Sequence, residues 1–377
     1  MTCRNGSAGG PPGPLAAIAA MVLLLAPCLL VAACSSAAMP AATSGERLAA
    51  PAGPPARQRP PQAGGTGLRL LEEAAKAGSD VSYQGVELVS AWGASGNSTM
   101  IADVRHRSGG ITVVQAAAAG MAGPGLRSVS DDTGHAPEGV LGVTGKLVAL
   151  LGVNYDVIYT GLGSADSRPA QIVEARRAGR LAARFWLDKV TKLPLRREVF
   201  DSGAHLIGED VFIDFKLGAP AVAAAPAEGT TPWRQRLTLV ALAQIRARGW
   251  PVPGALPGGL SLFEAEEAAT SSGEVLDLGY SDGLFVVSVF VQRGDLAPKL
   301  AGWQKITLDG RLMYAGQPDQ SSLSWAGHGF VFTVMADAPP ATLDEAVDAL
   351  PYSSPPGFWG RLSRGFGRLV SWVNPFR

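Results

Sequence analysis

The chain has 377 residues, a length that suggests two domains. Its 32 basic and 32 acidic side chains balance, so charge gives no argument for a nucleic acid or a bulk acidic partner. The three cysteines, Cys3, Cys28 and Cys34, all lie in the first tenth of the sequence. The rest of the chain therefore has no cysteine for a disulfide, a zinc cage or a thiol nucleophile.

Residues 1–33 are predicted to be an export signal. The apolar run from Leu15 to Leu30 is too short for a transmembrane span and ends in small residues. The sequence Leu30-Val31-Ala32-Ala33-Cys34 resembles a bacterial lipobox, in which the cysteine thiol takes a diacylglycerol and becomes the new N-terminus. The alternative is an ordinary signal peptide, cleaved at an Ala-x-Ala-like site, with an incidental cysteine. We expect export, and lipid attachment at Cys34 to the outer face of the cytoplasmic membrane.

Residues 34–66 are rich in Ala, Pro, Gly and Ser, which predicts a disordered tether. A first domain is predicted over residues 67–215. It begins with an amphipathic helix, Gly67 to Ala77, which ends at Gly78. The residues expected to face the core are Leu68, Leu70, Leu71 and Ala75. A second short helix is predicted at Thr144 to Leu151. Strands are expected at Val81 to Val89, Thr99 to His106, Ile111 to Gln115, Asn154 to Thr160 and Ala170 to Ala178.

The stretch from Leu181 to Phe215 predicts an antiparallel meander. Its three arms are Ala183 to Asp188, Leu195 to Asp201 and His205 to Phe215, joined by polar turns. In the first arm Phe185 and Leu187 alternate with Arg184, Trp186 and Asp188. A period of two places these two sets on opposite faces of a sheet.

Residues 216–230 form a second linker, and a second domain is predicted over residues 231–350. Thr231 is expected to cap a helix over Trp233 to Arg248 that stops at Gly249. Its buried face would hold Leu237, Val240, Ala241 and Ile245. Seven strands follow, at Phe263 to Ala268, Glu274 to Tyr280, Leu284 to Gln292, Gln304 to Leu308, Arg311 to Ala315, Ser322 to Ala326 and His328 to Met335. Thr342 and Glu345 predict a capping box for a last helix, Leu343 to Leu350. The predicted fold class is therefore α+β, mostly β.

Residues 355–377 predict a basic amphipathic tail. On a helical wheel its apolar residues fall within about 120°, and its arginines lie on the opposite side. This pattern favours a helix lying in an anionic membrane surface. The alternative is packing on the second domain. The residues expected to contact the membrane are Trp359, Arg361, Arg364, Phe366, Arg368 and Trp372.

The sequence shows no catalytic constellation, so we expect neither an enzyme nor a cofactor or metal site. Its four histidines, His106, His135, His205 and His328, lack metal-ligand spacing and are expected in neutral turn or surface roles. There is no G-x-S-x-G elbow, P-loop or kinase signature. Ser281-Asp282-Gly283 is expected to be a hairpin turn. The acidic clusters expected to be solvated are Asp131-Asp132 and Glu264, Glu266 and Glu267.

Three arginines cluster in the meander, namely Arg184, Arg196 and Arg197. Together with Trp186 they are candidates for contact with an acidic partner segment or an anionic lipid headgroup. The alternative is a solvated strand face whose arginines pair with Glu198 and Asp188. The aromatic residues Phe185, Trp186, Phe200, Phe212 and Phe215 are expected to be in the core or to line a groove.

Two stretches resemble one known family. RFWLD, LPLRREVFD and a strand ending in FIDF, all between Arg184 and Phe215, closely resemble the RseB/MucB family of extracytoplasmic regulators of an envelope-stress sigma factor. YSDGLFVVSVFV, from Tyr280 to Val291, resembles the second signature of that family. The resemblance spans roughly Leu68 to Ala336. It implies a LolA-type half-barrel followed by a smaller α+β domain.

The resemblance also implies a function. A protein of this kind binds the ectodomain of a transmembrane anti-sigma factor, protects it from regulated proteolysis, and releases it when a lipid-like ligand fills the groove. The lipobox and the basic tail depart from the family pattern. The alternative function is a lipid or lipoprotein carrier or sensor of LolA type without an anti-sigma partner.

Overall fold

The computed structural model describes residues 65–93, 96–109, 112–118, 126–130, 141–218, 233–270, 273–297, 299–300, 302–316 and 322–353. The chain divides into two compact units at residues 225/226. Several predictions lie outside the described residues: the signal, Cys34, residues 34–64 of the tether, residues 219–230 of the linker, the basic tail, Asp131-Asp132 and His135. Gly65 and Thr66, assigned to the tether, begin a helix, and Lys216 and Leu217, assigned to the linker, end a strand.

Within the described residues, the N-terminal unit has two helices and nine strands. Its helices are α1, Gly65–Asp80, and α2, Gly145–Asn154. Its strands are β1 (Tyr83–Gly93), β2 (Gly96–His106), β3 (Thr112–Ala118), β4 (Leu126–Ser130), β5 (Asp156–Ala165), β6 (Arg168–Arg177), β7 (Arg180–Asp188), β8 (Pro194–Phe200) and β9 (Leu206–Leu217). The strands form one sheet in the order β4-β3-β2-β1-β9-β8-β7-β6-β5, and every pairing is antiparallel. The sheet curls into a half-barrel, as predicted.

The two helices pack together and against β5. Helix α1 runs past Gly78, where its end was predicted, to Asp80. It buries Leu70, Leu71, Ala74 and Ala77, whereas Leu68 and Ala75, also expected in the core, are half-buried. The Thr144 side chain caps α2 by accepting a hydrogen bond from the Leu147 N–H. The buried side of α1 therefore differs by about one residue around the helix from the side that the sequence predicted.

In the part of the chain that the structure describes, the C-terminal unit is a second antiparallel sheet with two α-helices, α3 (Leu239–Ala247) and α4 (Pro340–Asp348), and a 3-10 turn at Pro257–Gly259. Its strands are β10 (Trp233–Arg236), β11 (Ala255–Leu256), β12 (Leu260–Thr270), β13 (Gly273–Ser281), β14 (Val286–Arg293), β15 (Trp303–Leu308), β16 (Arg311–Gly316), β17 (Ser322–Gly327) and β18 (Phe330–Asp337). Their order is β10-β12-β13-β14-β18-β17-β16-β15, with β11 paired to β12. Trp325, Tyr280 and Phe332 are the largest fully buried side chains of its core. The α+β, mostly-β class is confirmed.

One helix prediction in this unit is wrong. Residues Trp233–Arg236 form the edge strand β10, paired with β12, and the helix begins only at Leu239. Its cap is Thr238, whose hydroxyl accepts a hydrogen bond from the Ala241 N–H at 3.2 Å. Because the cap lies seven residues later than predicted, the helix turns Val240 to solvent and buries Leu242 and Ile245.

Three smaller predictions are also corrected. Helix α4 begins at Pro340 after Pro339 without a side-chain cap, so Thr342 and Glu345 do not form a capping box. Glu264 is buried, not solvated, and pairs with Arg236 at 2.6 Å. His106 is buried, not in a turn or on the surface, and its ring nitrogens lie 2.9 Å from Thr112 Oγ1 and 3.3 Å from the Ser79 carbonyl.

Candidate functional site

The predicted meander is strands β7, β8 and β9, in the interior of the first sheet. The observed register pairs Arg184 with Glu198, and Glu198 with Glu209. On the next strand Glu174 pairs with Arg184. Side chains opposite one another in register share a face, so charged residues from four strands meet on one side of the sheet. We call this side the ladder face.

The ladder face carries an ion ladder of three arginines and three glutamates. Glu174 contacts Arg184 at 2.9 Å and a second arginine, on its own strand, at 2.6 Å. Glu198 contacts Arg184 at 3.5 Å and Arg196 at 2.6 Å, and Arg196 also contacts Glu209 at 2.7 Å. The complete set is Glu174, Arg176, Arg184, Arg196, Glu198 and Glu209. Since three positive charges meet three negative ones, the ladder has no surplus charge of either sign.

Trp186 lies within the ladder. The Arg196 guanidinium is 4.8 Å from its ring centroid and that of Arg184 is 5.7 Å away. Cation–π attraction of this kind holds the arginine planes beside the indole while their N–H groups reach the carboxylates. The structure therefore brings together three of the four predicted contact residues, with Trp186 itself buried.

The fourth predicted residue, Arg197, lies on the opposite side of the sheet. It follows Arg196 in β8, and consecutive strand residues point to opposite faces. Its guanidinium binds Asp210 at 2.6 Å and 2.7 Å, through two nitrogens to one carboxylate oxygen. The predicted arginine cluster is thus two separate ionic sites.

The face with Arg197 also carries Glu87 on β1, a residue that the sequence analysis did not single out. Glu87 is fully buried, and its Oε1 accepts a hydrogen bond from the Leu141 N–H at 2.8 Å. Its Oε2 has no hydrogen-bond partner among the described residues. Burial and then the nearby Asp210 carboxylate raise the pKa of Glu87 well above its usual range, and the Leu141 N–H and Arg197 oppose that shift without cancelling it. The sequence signal that could have identified Glu87 was an acidic residue within the strand-like run Val86 to Val89.

Aromatic residues surround this acid. Phe212 lies opposite Glu87, and Phe215 opposite Gly85, because a bulge at the β1–β9 register adds one residue between them. The centroid of the Tyr83 ring lies 6.2 Å from the ring centroid of Phe212 and 5.9 Å from that of Phe215. We call this side of the sheet the aromatic face. Both phenylalanines are buried, as the sequence predicted for a core or a groove lining.

Gly85 permits this close packing. A Cβ at that position would lie 2.5 Å from the Asp214 carbonyl oxygen and 2.8 Å from the Phe212 ring. Burial, followed by the Glu87 carboxylate, raises the pKa of the neighbouring Tyr83 hydroxyl. The aromatic face is therefore a tightly packed apolar site with one acid within it.

The turn after β7 is built on Asp188. Its buried carboxylate accepts hydrogen bonds from Arg168 Nε at 2.7 Å and from the Thr191 N–H at 2.7 Å. Burial raises the pKa of Asp188, but the hydrogen bonds from Arg168 and Thr191 outweigh burial, so the net pKa lies below the usual value. Asp188 thus fixes the turn and is not a partner of the meander arginines.

The second signature forms the β13–β14 hairpin of the C-terminal unit. Asp282 Oδ1 accepts hydrogen bonds from the N–H groups of Leu284 and Phe285, both at 2.9 Å, and Gly283 has a positive φ of 98°. This confirms Ser281-Asp282-Gly283 as a turn. Both strands are interior to the second sheet. Each signature therefore belongs to the buried framework of one unit.

The described residues contain no group of three or more histidine, cysteine, aspartate or glutamate side chains placed to hold a metal ion. Within those same ranges no helix is long and apolar enough to span a bilayer. Phe200, the remaining aromatic residue predicted in the core or a groove, is half-buried.

The fold is thus a two-unit, mostly-β architecture with a half-barrel at its N-terminal end. No protein-family model and no curated protein matches the chain. The chain is similar to the crystal structure of MucB in complex with MucA(peri), with 20% identity and a TM-score of 0.43 over 77% of this chain and 100% of that one. It is similar to the Pseudomonas aeruginosa MucA/MucB complex, with 21% identity and a TM-score of 0.42 over 77% and 100%.

A more distant similarity is to a LolA superfamily protein from Nitrosomonas europaea. The identity is 9% and the TM-score 0.18, over 72% of this chain and 91% of that one.

Proposed function

We propose that this chain is an exported regulator that binds the ectodomain of a membrane-spanning anti-sigma factor. By covering that segment it protects the anti-sigma factor from regulated proteolysis and keeps an envelope-stress sigma factor silent. Lipidation at Cys34 anchors the protein to the outer face of the cytoplasmic membrane. A lipid-like ligand in the half-barrel of the N-terminal unit triggers release.

One observation carries this proposal. The two stretches that resemble the RseB/MucB family fall in different units, and each supplies interior strands of its sheet. The first forms β7 to β9, and the second forms the β13–β14 hairpin. A simple carrier with a half-barrel would need only the first unit. The presence of both signatures in framework positions therefore favours the two-unit regulator over the carrier.

The ion ladder constrains how a partner could use Arg184 and Arg196. Both guanidiniums already contact glutamates, so an acidic segment of the partner would have to replace Glu198 or Glu209 at one arginine. Such an exchange conserves the number of ion pairs, but it leaves the displaced glutamate without that arginine, a cost that is smaller for the more exposed Glu209 than for Glu198. We therefore keep Arg184, Trp186 and Arg196 as proposed contacts on the ladder face.

The test is a mild crosslink in native membranes, followed by purification of the tagged protein and mass spectrometry of what accompanies it. We expect an enriched single-pass anti-sigma factor. We further expect Arg184→Gln with Arg196→Gln to reduce that enrichment. Arg69→Gln is the matched control, because Arg69 forms an exposed i,i+4 pair with Glu73 on α1.

Recovery of lipid or lipoproteins without an anti-sigma factor would contradict the proposal. That result would identify the half-barrel as a carrier or sensor. Equal enrichment with the ladder variant and the control would still support an anti-sigma partner, but it would show that the partner does not bind at the ladder face.

A further inference from the structure

Helix α3 of the C-terminal unit exposes two large apolar side chains. Leu239 is 83% exposed and Val240 is 69% exposed, although Ile245 on the other side of the same short helix is buried in the core. Ala243 and Ala247, one and two turns after Leu239, are also exposed. Residues at i, i+4 and i+8 share a face, so one side of α3 presents apolar surface to solvent along its whole length.

Three exposed arginines lie at the C-terminal end of this helix. Arg246 Nε donates a hydrogen bond to the Val252 carbonyl at 2.7 Å, and Arg293 donates one to the Arg248 carbonyl at 2.9 Å. Within the described residues the structure records an ion pair for Arg248 alone, with Glu274 at 3.3 Å. Glu267 lies against Glu274 and also interacts with Arg248, so two carboxylates face three arginines and one positive charge remains in excess.

The arginines lie next to the point where the described chain ends. The Arg293 guanidinium is 5.1 Å from the Trp250 ring centroid and 4.8 Å from that of Phe330. Phe330 is two residues from His328, whose N–H donates a hydrogen bond to Ser353 Oγ at 2.8 Å. Ser353 is the last residue described. Ser353, after which the basic amphipathic sequence of residues 355–377 follows, is therefore held near this cluster.

We propose that the exposed face of α3, together with Arg246, Arg248 and Arg293, is a membrane-contact surface that binds an anionic bilayer. Exposed apolar side chains enter the boundary between headgroups and acyl chains, and nearby guanidiniums attract anionic headgroups. The side chains that would insert are Leu239 and Val240.

Two observations favour a lipid surface over a protein partner. The apolar side chains are exposed on a helix surface, and of the three exposed arginines at the other end of that helix only Arg248 has a recorded ion pair within the described residues. The sequence that follows Ser353 adds Trp359, Trp372 and further arginines in an amphipathic pattern, which is typical of interfacial segments. This proposal does not depend on the anti-sigma partner.

The test is co-sedimentation of the chain from Ser35 onward with phosphatidylcholine vesicles, with and without phosphatidylglycerol. That chain lacks the predicted leader and the predicted lipidation site, and it keeps every described residue. We expect binding to the anionic vesicles that falls as salt is added, because screening weakens the arginine contribution. Replacing Leu239 and Val240 by serine is expected to weaken that binding by about tenfold.

The matched control is Val153→Ser with Val190→Ser. These two valines of the N-terminal unit are 81% and 83% exposed, so the control removes equally exposed apolar surface elsewhere. Its binding should stay within about twofold of the original. Equal binding to neutral and anionic vesicles would overturn the proposal, as would serine variants that all bind alike. If the α3 variant lost only binding to a protein ectodomain, the surface would belong to a protein partner and the proposal would be wrong.

Discussion

The buried acid Glu87 predicts a pH dependence of stability that a single substitution can isolate. Its pKa is raised in the folded protein by burial and by Asp210, whereas in the unfolded chain it is that of a solvated glutamate. Between these two pKa values the folded state holds a proton that the unfolded state has lost. The free energy of unfolding therefore falls as the pH rises through this window.

The magnitude follows from linkage. Within the window, one group lowers the free energy of unfolding by about 1.4 kcal/mol for each pH unit. Below the unfolded pKa both states are protonated, so the slope vanishes and the stability associated with Glu87 is at its highest. Glu87→Gln keeps an acceptor for the Leu141 N–H and cannot ionise. The stability of this variant relative to the original chain should therefore increase from acid toward neutral and alkaline pH.

The assay is urea unfolding at a series of pH values, and the result is read as the difference between variant and original. Every other titratable group is present in both proteins, so the difference isolates what the substitution changes. Glu72→Gln, at an exposed position of α1, is the control for removing a glutamate elsewhere. A flat curve for Glu87→Gln would refute the reasoning, because it would mean that Glu87 titrates alike in the folded and unfolded states.

Three further substitutions test the framework, each by urea unfolding at neutral pH. Asp188→Asn should lower the free energy of unfolding by about 2–4 kcal/mol. This loss should become smaller in acid, because a carboxyl with a lowered pKa stabilises the fold only above its unfolded pKa. An equal loss in acid would contradict this reasoning. Gly85→Ala should cost about 1–3 kcal/mol through overpacking, whereas Gly65→Ala, with open space around it, should cost nothing measurable; equal effects would contradict the close packing. Trp325→Phe should lower the free energy of unfolding by about 1–3 kcal/mol, because it leaves a cavity and removes the 2.8 Å hydrogen bond from the indole N–H to a backbone carbonyl. An unchanged stability would contradict that hydrogen bond.

The strands were predictable because their signal is local. Alternation in β7 separates Arg184 and Trp186 from Phe185 and Leu187, and the structure places the two pairs on opposite faces. Of the ladder carboxylates only Glu198, on β8, was anticipated as a partner of these arginines, whereas Glu174 and Glu209 come from β6 and β9. Alternation says which face a residue occupies, and it does not say which distant strand will lie beside it.

Two errors in the C-terminal unit concern one pair of residues. Residues before Thr238 were assigned to a helix because Thr231-Pro232 was interpreted as its start. In the structure Arg236 is in a strand beside β12, where it pairs with Glu264. Glu264 was assigned to solvent with its acidic neighbours, because the local sequence does not show that pairing.

The aromatic face depended on a bulge that no local rule indicated. Phe212 and Phe215 are three residues apart, an odd spacing that in a regular strand places two side chains on opposite faces. The extra residue between them in the β1–β9 register brings both onto the face that holds Glu87. The register was set by tertiary packing around Gly85.

The central claim is that this chain binds an anti-sigma ectodomain. The most direct measurement is a biosensor titration in which the chain from Ser35 onward is offered to the purified ectodomain of each single-pass anti-sigma factor of its own cell. Saturable, reversible binding to one ectodomain with a stoichiometric plateau is the predicted result. Failure of every ectodomain to bind, with lipid retained by the purified protein, would contradict the claim and leave a lipid carrier.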